Sequence, residues 1–233
     1  MNALRTIGTI LYMGVAVLAA LPLTAQEVDV AGINETYKDP NLDVDVWVER
    51  FETEGREAFD FRHEIVAALA LEPGQAVADV GAGTGLFEPL LAARVGPEGK
   101  VYAVDIVPAF VDHIREQAAE RGLSQIEAIL GDERSAQLPA QSVDMVFVCD
   151  AYHHFEDYEA MLTSIHAALK PGGRLVIVDF ERVDGESEPF VLDHIRASKE
   201  QFTAEIEASG FRFTEEVDIE GMTDTFMRRF ERM

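Results

Sequence analysis

The chain has 233 residues, of which 19 are Lys or Arg and 43 are Asp or Glu, and its formal net charge is −24. This length is enough for one α/β domain with a sizeable core and a short extension. Because DNA, RNA and anionic membranes are bound mainly through cationic contacts to phosphate, the charge disfavours a nucleic-acid partner and a stable membrane association. It mildly favours neutral or cationic small molecules.

Residues 1–25 form a segment of a different kind. Arg5 is the one charged residue in it, and an apolar run extends from Ile7 to Leu21. A basic start, an apolar stretch of this length and the small residue Ala25 predict a secretory signal peptide that is cut before Gln26. The mature protein is then expected to be exported, to the periplasm or the medium. An uncleaved N-terminal membrane anchor is the alternative.

The next two segments lead into the domain. Residues 26–45 are polar and acidic and lack periodicity, which predicts a linker. Residues 46–71 carry apolar side chains at helical spacing and are predicted to be N-terminal cap helices of a domain that occupies residues 46–233. Trp47 and Phe51 in these helices are either part of a lid over a ligand or plain packing residues.

A glycine loop follows the first predicted strand, residues 77–80. The strand carries Asp79, and the chain then places glycines at Gly81, Gly83 and Gly85 before a helical pattern resumes. This arrangement is typical of an anion- and nucleoside-binding corner, because glycine adopts positive φ and lets a ligand approach the backbone. The spacing lacks the third glycine of the dinucleotide fingerprint. Asp79 favours a ligand with a positively charged end over a pyrophosphate.

Acidic residues also end the next two predicted strands. The strand at residues 101–106 carries Asp105 near its end, 24 positions after Gly81. A carboxylate at this place in a βαβ unit is positioned to accept hydrogen bonds from both ribose hydroxyls. The third strand, residues 126–130, is followed by Gly-Asp-Glu, in which Asp132 is either a ligand-binding residue or part of a turn.

The fourth predicted strand opens into a loop that contains Tyr152, His153 and His154. In parallel sheets, ligands bind at the carboxyl edge near the point where the strand order reverses. The two histidines are candidate general bases, since imidazole titrates near neutrality, and Tyr152 is a candidate for positioning the substrate. Alternatively, the pair belongs to a cofactor-side loop without proton transfer. No metal site is predicted, because no compact set of Asp, Glu or His residues adds ligands to the pair.

The last third of the chain predicts how the sheet ends. A Lys-Pro-Gly-Gly turn precedes the fifth strand, and the segments 211–217 and 225–230 alternate as two further strands. His194 and Arg196, between them, are either substrate contacts or exposed surface residues. The predicted fold is α/β, a Rossmann-like seven-stranded mixed sheet that is mostly parallel, with a C-terminal antiparallel hairpin and helices on both faces.

Together these motifs resemble the class I S-adenosylmethionine-dependent methyltransferases, in particular the broad type 11 group. The resemblance implies S-adenosylmethionine as cofactor, S_N2 transfer of its sulfonium methyl group to a small-molecule acceptor, and Asp132 at the adenine amino group. The residues predicted to bind the cofactor are Asp79, Gly81, Ala82, Gly83, Thr84, Gly85, Asp105, Ile106, Asp132, Glu133, Asp150 and Ala151.

Two rival functions are open at this point. An NAD-linked oxidoreductase would need a glycine at or near Phe87, and the sequence has none there. An exported, non-catalytic binding protein that retains the fold is the second alternative, because the cofactor is made in the cytoplasm. The residues specify neither the acceptor nor the oligomeric state.

Overall fold

The computed structural model describes residues 31–233. The predicted signal peptide and the first residues of the predicted linker lie outside the described residues. Across the described range, no helix combines the length and the apolar character needed to cross a membrane.

The described chain alternates strands and helices in the predicted order. The strands are β1 (Ala76–Val80), β2 (Lys100–Asp105), β3 (Ile126–Leu130), β4 (Val143–Cys149), β5 (Leu169–Phe180), β6 (Phe211–Val217) and β7 (Thr225–Arg232). The α-helices are α1 (Val44–Phe51), α2 (Glu57–Asp60), α3 (Arg62–Ala68), α4 (Glu88–Val95), α5 (Pro108–Glu120), α6 (Tyr158–Ala168), α7 (Pro189–His194) and α8 (Lys199–Ala208). Short 3-10 helices lie at Glu35–Lys38 and Tyr152–His154.

The seven strands form one sheet in the order β3-β2-β1-β4-β5-β7-β6. The first five strands pair in parallel, and β7 pairs antiparallel with both β5 and β6. The strand order reverses between β1 and β4, so the loops after these two strands diverge and leave a crevice at the carboxyl edge. This topology confirms the predicted mixed sheet with its C-terminal antiparallel hairpin.

Helices cover both faces of the sheet. Neighbouring residues along a strand point to opposite faces, so a buried strand packs against helices on both sides. In β4, Val146 packs with Leu162 of α6 in one apolar cluster. Its neighbour Phe147 packs with Leu91 of α4 in another. With both faces of the central strands dry, the ligand site is confined to the edge of the sheet.

The segment before the sheet differs from its prediction. The helical spacing over residues 46–71 breaks into three short helices, with Gly55 at φ +91° between the first two. Residues 31–45, the described part of the predicted linker, contact the rest of the domain. Asn34 is buried and its Nδ2 donates to the carbonyl oxygen of His154 at 3.0 Å. The ring of Tyr37 also packs on Trp47. Single contacts of this kind hold the segment in place, and they produce no periodic pattern of apolar residues from which the sequence could have predicted them.

Candidate active site

The glycine loop, residues 81–85, turns sharply away from the end of β1. Gly81, Gly83 and Gly85 have φ angles of +88°, +56° and +92°, which L side chains rarely adopt. The N–H groups of Gly81 and Ala82 donate to the carbonyl oxygen of Val104 at 2.8 and 3.0 Å. The loop is thereby tied to the end of β2, and its remaining face opens onto the crevice.

Within the glycine loop, Gly81 is the position where a side chain is least tolerable. A Cβ added there would lie 2.4 Å from the Cβ of Ala151, in the loop after β4. We expect Gly81→Ala to lower the free energy of unfolding by about 2–4 kcal/mol, from backbone strain and overpacking together. Gly74→Ala is the matched control, because Gly74 has φ +86° with nothing within 4 Å of an added Cβ. Urea denaturation of both variants measures the difference, and equal losses would contradict a role for the Ala151 contact.

Two carboxyl groups meet beneath the loop. Asp79 and Glu88 are almost fully buried, and neither Asp79 Oδ2 nor the two Glu88 oxygens has a hydrogen-bond partner among the described residues. Burial, and then the charge of Asp105, raise the pKa of Asp79 to about 8. Burial, reinforced by Asp79, also raises the pKa of Glu88. Asp79 lines the crevice and therefore presents an unsatisfied carboxyl oxygen to whatever binds there.

Asp105 joins the end of β2 to the loop. Its Oδ2 accepts a hydrogen bond from Gly83 N at 2.8 Å, and its Oδ1 accepts one from Val107 N at 2.9 Å. Burial raises its pKa to about 6, although these N–H groups act in the opposite direction. Each oxygen keeps one further lone pair. The carboxylate lines the crevice beside Ile106 and can accept from two hydroxyl groups of a ligand.

The remaining predicted cofactor residues occupy the floor and the rim of the same crevice. Thr84 Oγ1 donates to Glu52 at 3.0 Å, which ties the loop to the end of α1. Asp150 is an uncommon non-glycine residue with positive φ, at +49°, and its Oδ2 pairs with Arg56 at 2.8 Å. Its Oδ1 is buried without a partner in the described chain. Asp150 therefore presents a second unsatisfied carboxyl oxygen beside Ala151.

Asp132 and Glu133 lie at the exposed rim. The side chain of Asp132 accepts hydrogen bonds from Arg134 N at 2.8 Å and Gln137 Nε2 at 2.9 Å, so it does stabilise a turn. Glu133 pairs with Lys38 at 3.2 Å. Each carboxyl oxygen of Asp132 keeps one further lone pair, and contact of Asp132 with an adenine amino group stays a prediction.

Aromatic side chains form one wall of the crevice. Tyr37 packs at 4.8 Å between ring centroids on Trp47, which in turn lies 5.3 Å from Phe51, and Phe110 contacts all three rings. All four residues line the crevice. Trp47 and Phe51 therefore both pack and cover the ligand space, so the two sequence alternatives are compatible. The sequence did not identify Tyr37 as a crevice residue. The available signal was that Tyr37 is the single aromatic residue of an otherwise polar and acidic segment, residues 26–45.

The prediction that Tyr152 positions a substrate is wrong. The side chain is fully buried among apolar residues, with Phe202 at 4.9 Å between ring centroids. Its hydroxyl donates to Glu205 at 3.0 Å, and the residue does not line the crevice. Neighbouring residues in the 3-10 helix at 152–154 point in different directions, so Tyr152 faces the core while His153 and His154 face the crevice.

His153 and His154 do reach the crevice, and a third histidine joins them. Nδ1 of His153 lies 2.7 Å from Oδ1 of Asp179, at the end of β5. His194, at the end of α7, brings its ring to 5.2 Å from His153 and 5.1 Å from His154 between centroids. The sequence prediction of no metal site rested on the absence of further ligands around the pair, and that premise is wrong. The third histidine lies 40 positions after His154 and could not be placed from the sequence.

Burial and neighbouring charges change the pKa values of two histidines in the crevice, His154 and His194. Burial, and then the neighbouring His153 and His194, lower the pKa of His154 to about 2. Burial likewise lowers the pKa of His194. An imidazole with so low a pKa is neutral at pH 7 and a weak base, which argues against His154 as the base. His153 keeps its candidacy, oriented by Asp179, a residue that sequence reasoning had not singled out.

The crevice as a whole encloses about 500 Å³, within the range of small-molecule and cofactor sites. At one end stand the glycine loop and the carboxyl groups of Asp79 and Asp105. At the other end stand the three histidines with Phe180 and Phe190. The site thus joins a polar, acidic end to an aromatic and imidazole end.

Comparison with known proteins finds methyltransferases among the sequences and structures that this chain resembles. Residues 77–173 match the family described as "Methyltransferase domain". The chain is 30% identical over 119 residues to a demethylmenaquinone methyltransferase of Listeria monocytogenes serotype 4a, a match that covers 51% of this chain and 50% of the relative. A second demethylmenaquinone methyltransferase, from Geobacillus stearothermophilus, is 29% identical over 124 residues, covering 53% of each chain. The chain thus spans about half the length of the curated relatives it matches.

The fold is also that of solved methyltransferases. The structure is similar to that of a SAM-dependent methyltransferase from Aquifex aeolicus, with a TM-score of 0.72, 23% sequence identity, and coverage of 82% of this chain and 100% of that one. That neighbour is described as SAM-dependent, so S-adenosylmethionine is the ligand against which the site is compared.

The residues present fit that cofactor. Its amino-acid part carries a cationic amino group, and Asp79 and Asp150 each offer a buried carboxyl oxygen without a partner in the described chain. Its ribose carries two hydroxyl groups, and Asp105 retains a lone pair on each oxygen. The absence of side chains at Gly81 and Gly83 opens the loop backbone to close approach.

Proposed function

We propose that the protein is an S-adenosylmethionine-dependent methyltransferase that acts on a small-molecule acceptor. The observation that carries the proposal is the unsatisfied carboxyl of Asp79 beneath the glycine loop, open to a crevice in which Asp105 stands beside it. A cation there satisfies a group that is otherwise costly to bury. The negatively charged pyrophosphate of NAD would be repelled by a carboxylate at this position.

The residues contribute mainly binding and alignment. The bound cofactor supplies an electrophilic methyl group on a sulfonium, and methyl transfer requires in-line approach of the acceptor in a desolvated pocket. The aromatic wall of Tyr37, Trp47, Phe51 and Phe110 excludes water from one side of the crevice. His153, whose Nδ1 is bonded to Asp179, is the group placed to take a proton when the acceptor must lose one.

The acceptor is inferred to be a small molecule that is not part of a nucleic acid. The formal charge of −24 opposes phosphate backbones, and a crevice of about 500 Å³ suits a compact ligand. The matched relatives are named demethylmenaquinone methyltransferases. Because the match covers only about half of each relative, the acceptor in that name does not transfer with it.

Export remains part of the proposal. The order of charge, apolar run and small residue within residues 1–25 supports a signal peptide that is removed before Gln26. An uncleaved apolar segment would instead keep the protein at the membrane by its N-terminus. Terminal sequencing of the protein from its source cells distinguishes the two forms.

The function is tested by calorimetric titration of the protein with S-adenosylmethionine and, separately, with NAD. We expect micromolar binding of the first and none of the second. Transfer of labelled methyl to a panel of small hydroxyl, thiol, amine and aromatic acceptors then identifies the acceptor atom. A folded sample that does not bind S-adenosylmethionine would refute the proposal. Tight binding without transfer to any acceptor would favour the exported binding protein.

A further inference from the structure

We propose that His153, His154 and His194 form a binding site for a divalent transition-metal ion of the zinc type at the acceptor end of the crevice. One ring nitrogen from each residue can be chosen so that all three lie within 4.8 Å of one another. The three rings surround a common point, with centroid separations of 4.3, 5.1 and 5.2 Å. Three imidazoles gathered from a loop after β4 and the end of α7 form a ligand set with an open side.

Hydrogen bonds with surrounding residues fix the positions of His153 and His154 in the cluster. Nδ1 of His153 lies 2.7 Å from the fully buried carboxylate of Asp179, whose other oxygen accepts from the His153 backbone N–H at 3.1 Å. A carboxylate at one ring nitrogen orients the ring and leaves Nε2 as the ligand atom. His154 is held through its carbonyl oxygen, which accepts from Asn34 at 3.0 Å.

A separate observation indicates a ligand. Nδ1 of His154 is buried and has no hydrogen-bond partner among residues 31–233. Buried polar atoms in folded proteins nearly always have a partner, so one without a partner calls for an unseen group. A metal ion bound by the rings of His153, His154 and His194 together would satisfy this atom.

The chemistry of the donors selects the class of ion. Imidazole nitrogens suit Zn²⁺, Co²⁺, Ni²⁺ and Fe²⁺, whereas Mg²⁺ and Ca²⁺ require oxygen ligands. Bonds of the usual length in a tetrahedral site place the nitrogens about 3.4 Å apart, so nitrogens up to 4.8 Å apart must approach by as much as about 1.4 Å to close on an ion. His194 is half-buried at the end of the six-residue helix α7, and it can supply that movement.

The open side of the site faces the ligand crevice, where all three histidines are lining residues. A fourth ligand from that side would be an oxygen or sulfur atom of the acceptor, or water. With the ion bound, Nε2 of His153 is no longer free to take the acceptor's proton, and the ion would instead lower the pKa of the bound hydroxyl or thiol. This part of the inference depends on the proposed function and names its acceptor class as a hydroxyl or thiol compound. The binding of the ion itself does not depend on it.

The test uses the full chain after chelator treatment, titrated with Zn²⁺ by calorimetry and with Co²⁺ by visible absorption. We expect one ion per chain and the visible bands of Co²⁺ bound to imidazoles. His194→Gln should remove one ligand and weaken binding by about 10- to 100-fold or more, and Asp179→Asn should weaken it by a similar factor through the orientation of His153. His63→Gln, at an exposed histidine outside the crevice, is the matched control and should bind as the unmodified protein does.

Equal Zn²⁺ affinity in His194→Gln and the unmodified protein, or no binding by the folded unmodified protein, would overturn the site. Should His194→Gln fail to fold, His154→Gln carries the same comparison, with circular dichroism as the check on folding. Binding of S-adenosylmethionine is measured on the same samples without metal. If the folded unmodified protein binds S-adenosylmethionine but no metal ion, this site alone is refuted. If it binds the metal ion but not S-adenosylmethionine, the proposed function alone is refuted.

Discussion

Asp79→Asn is expected to weaken S-adenosylmethionine binding by about 100-fold, because the neutral amide cannot replace a charge-assisted hydrogen bond to the cofactor's amino group. The carboxyl is almost fully buried, lines the crevice and has one oxygen without a partner in the described structure. Calorimetric titration of the variant and the unmodified protein at pH 8 measures the effect. An unchanged affinity would show that the cofactor's cation lies elsewhere.

The pH dependence of cofactor binding follows from the same residue. Burial raises the pKa of Asp79 to about 8 in the free protein, so at pH 7 most molecules carry a proton there. A bound cation favours the ionised form, so binding releases a proton below pH 8 and affinity rises as the pH approaches 8. The cofactor's own amino group loses its proton near pH 8, which ends the rise. In Asp79→Asn the rising limb should be absent.

The stability of the free protein should fall as the pH rises towards 8, whereas its affinity for the cofactor should rise over the same range. A carboxyl whose folded-state pKa is raised binds more protons in the folded than in the unfolded state, so its contribution falls as the pH rises from about 4 to about 8. Asp79→Asn is therefore expected to stabilise the free protein at pH 8 by about 1–3 kcal/mol. Denaturant titrations at pH 5 and pH 8 check this, and a variant less stable than the unmodified protein at pH 8 would contradict it.

Glu88→Gln is the matched control for the loss of affinity, because it should reproduce the change in stability alone. Glu88 shares the buried pair, yet it does not line the crevice. The variant should be stabilised at pH 8 like Asp79→Asn, while its affinity for the cofactor stays within a few fold of the original. A large loss of affinity in Glu88→Gln would mean that the carboxyl pair, and not Asp79 itself, recognises the cation.

Arg196→Met is expected to destabilise the fold by about 3–5 kcal/mol, the cost of leaving a buried charge without its partner. Nη1 and Nη2 of Arg196 donate to Oε1 and Oε2 of Glu205, each at 2.7 Å, and the two side chains are 8% and 9% exposed. The guanidinium also lies 4.6 Å from the ring centre of Phe202. Arg196 does not line the crevice, so a contact with substrate, which the sequence left open, is replaced by a structural role.

Two control variants distinguish the effect of the buried charge pair on stability from the loss of packing by the Arg196 side chain. Arg196→Met combined with Glu205→Gln removes both charges and should recover about 2 kcal/mol of the loss. Arg134→Met removes the exposed partner of Asp157, at 2.7 Å, and should change stability by less than about 1 kcal/mol. Urea denaturation measures all three, and a double variant as unstable as Arg196→Met would show that packing, not charge, dominates.

Much of the fold could be predicted because its signals are local. The alternation of short apolar strands with helical spacing, and the glycines at 81, 83 and 85, depend on neighbours within a few residues. Asp105 could be placed at the crevice for the same reason, since the end of a strand in a βαβ unit has a defined position relative to the glycine loop. The final hairpin was predictable from two alternating segments around a turn.

The sequence by itself therefore determined the α/β class, the mixed sheet and the edge at which the glycine loop, Asp105 and the histidine pair meet. Only the tertiary structure decided that His194 and Asp179 complete the histidine cluster, that Tyr152 faces the core and that the supposed linker supplies Tyr37. Periodicity and turn chemistry act between neighbours along the chain. Contacts between residues tens of positions apart depend instead on how loops pack against one another, and neither composition nor spacing records this.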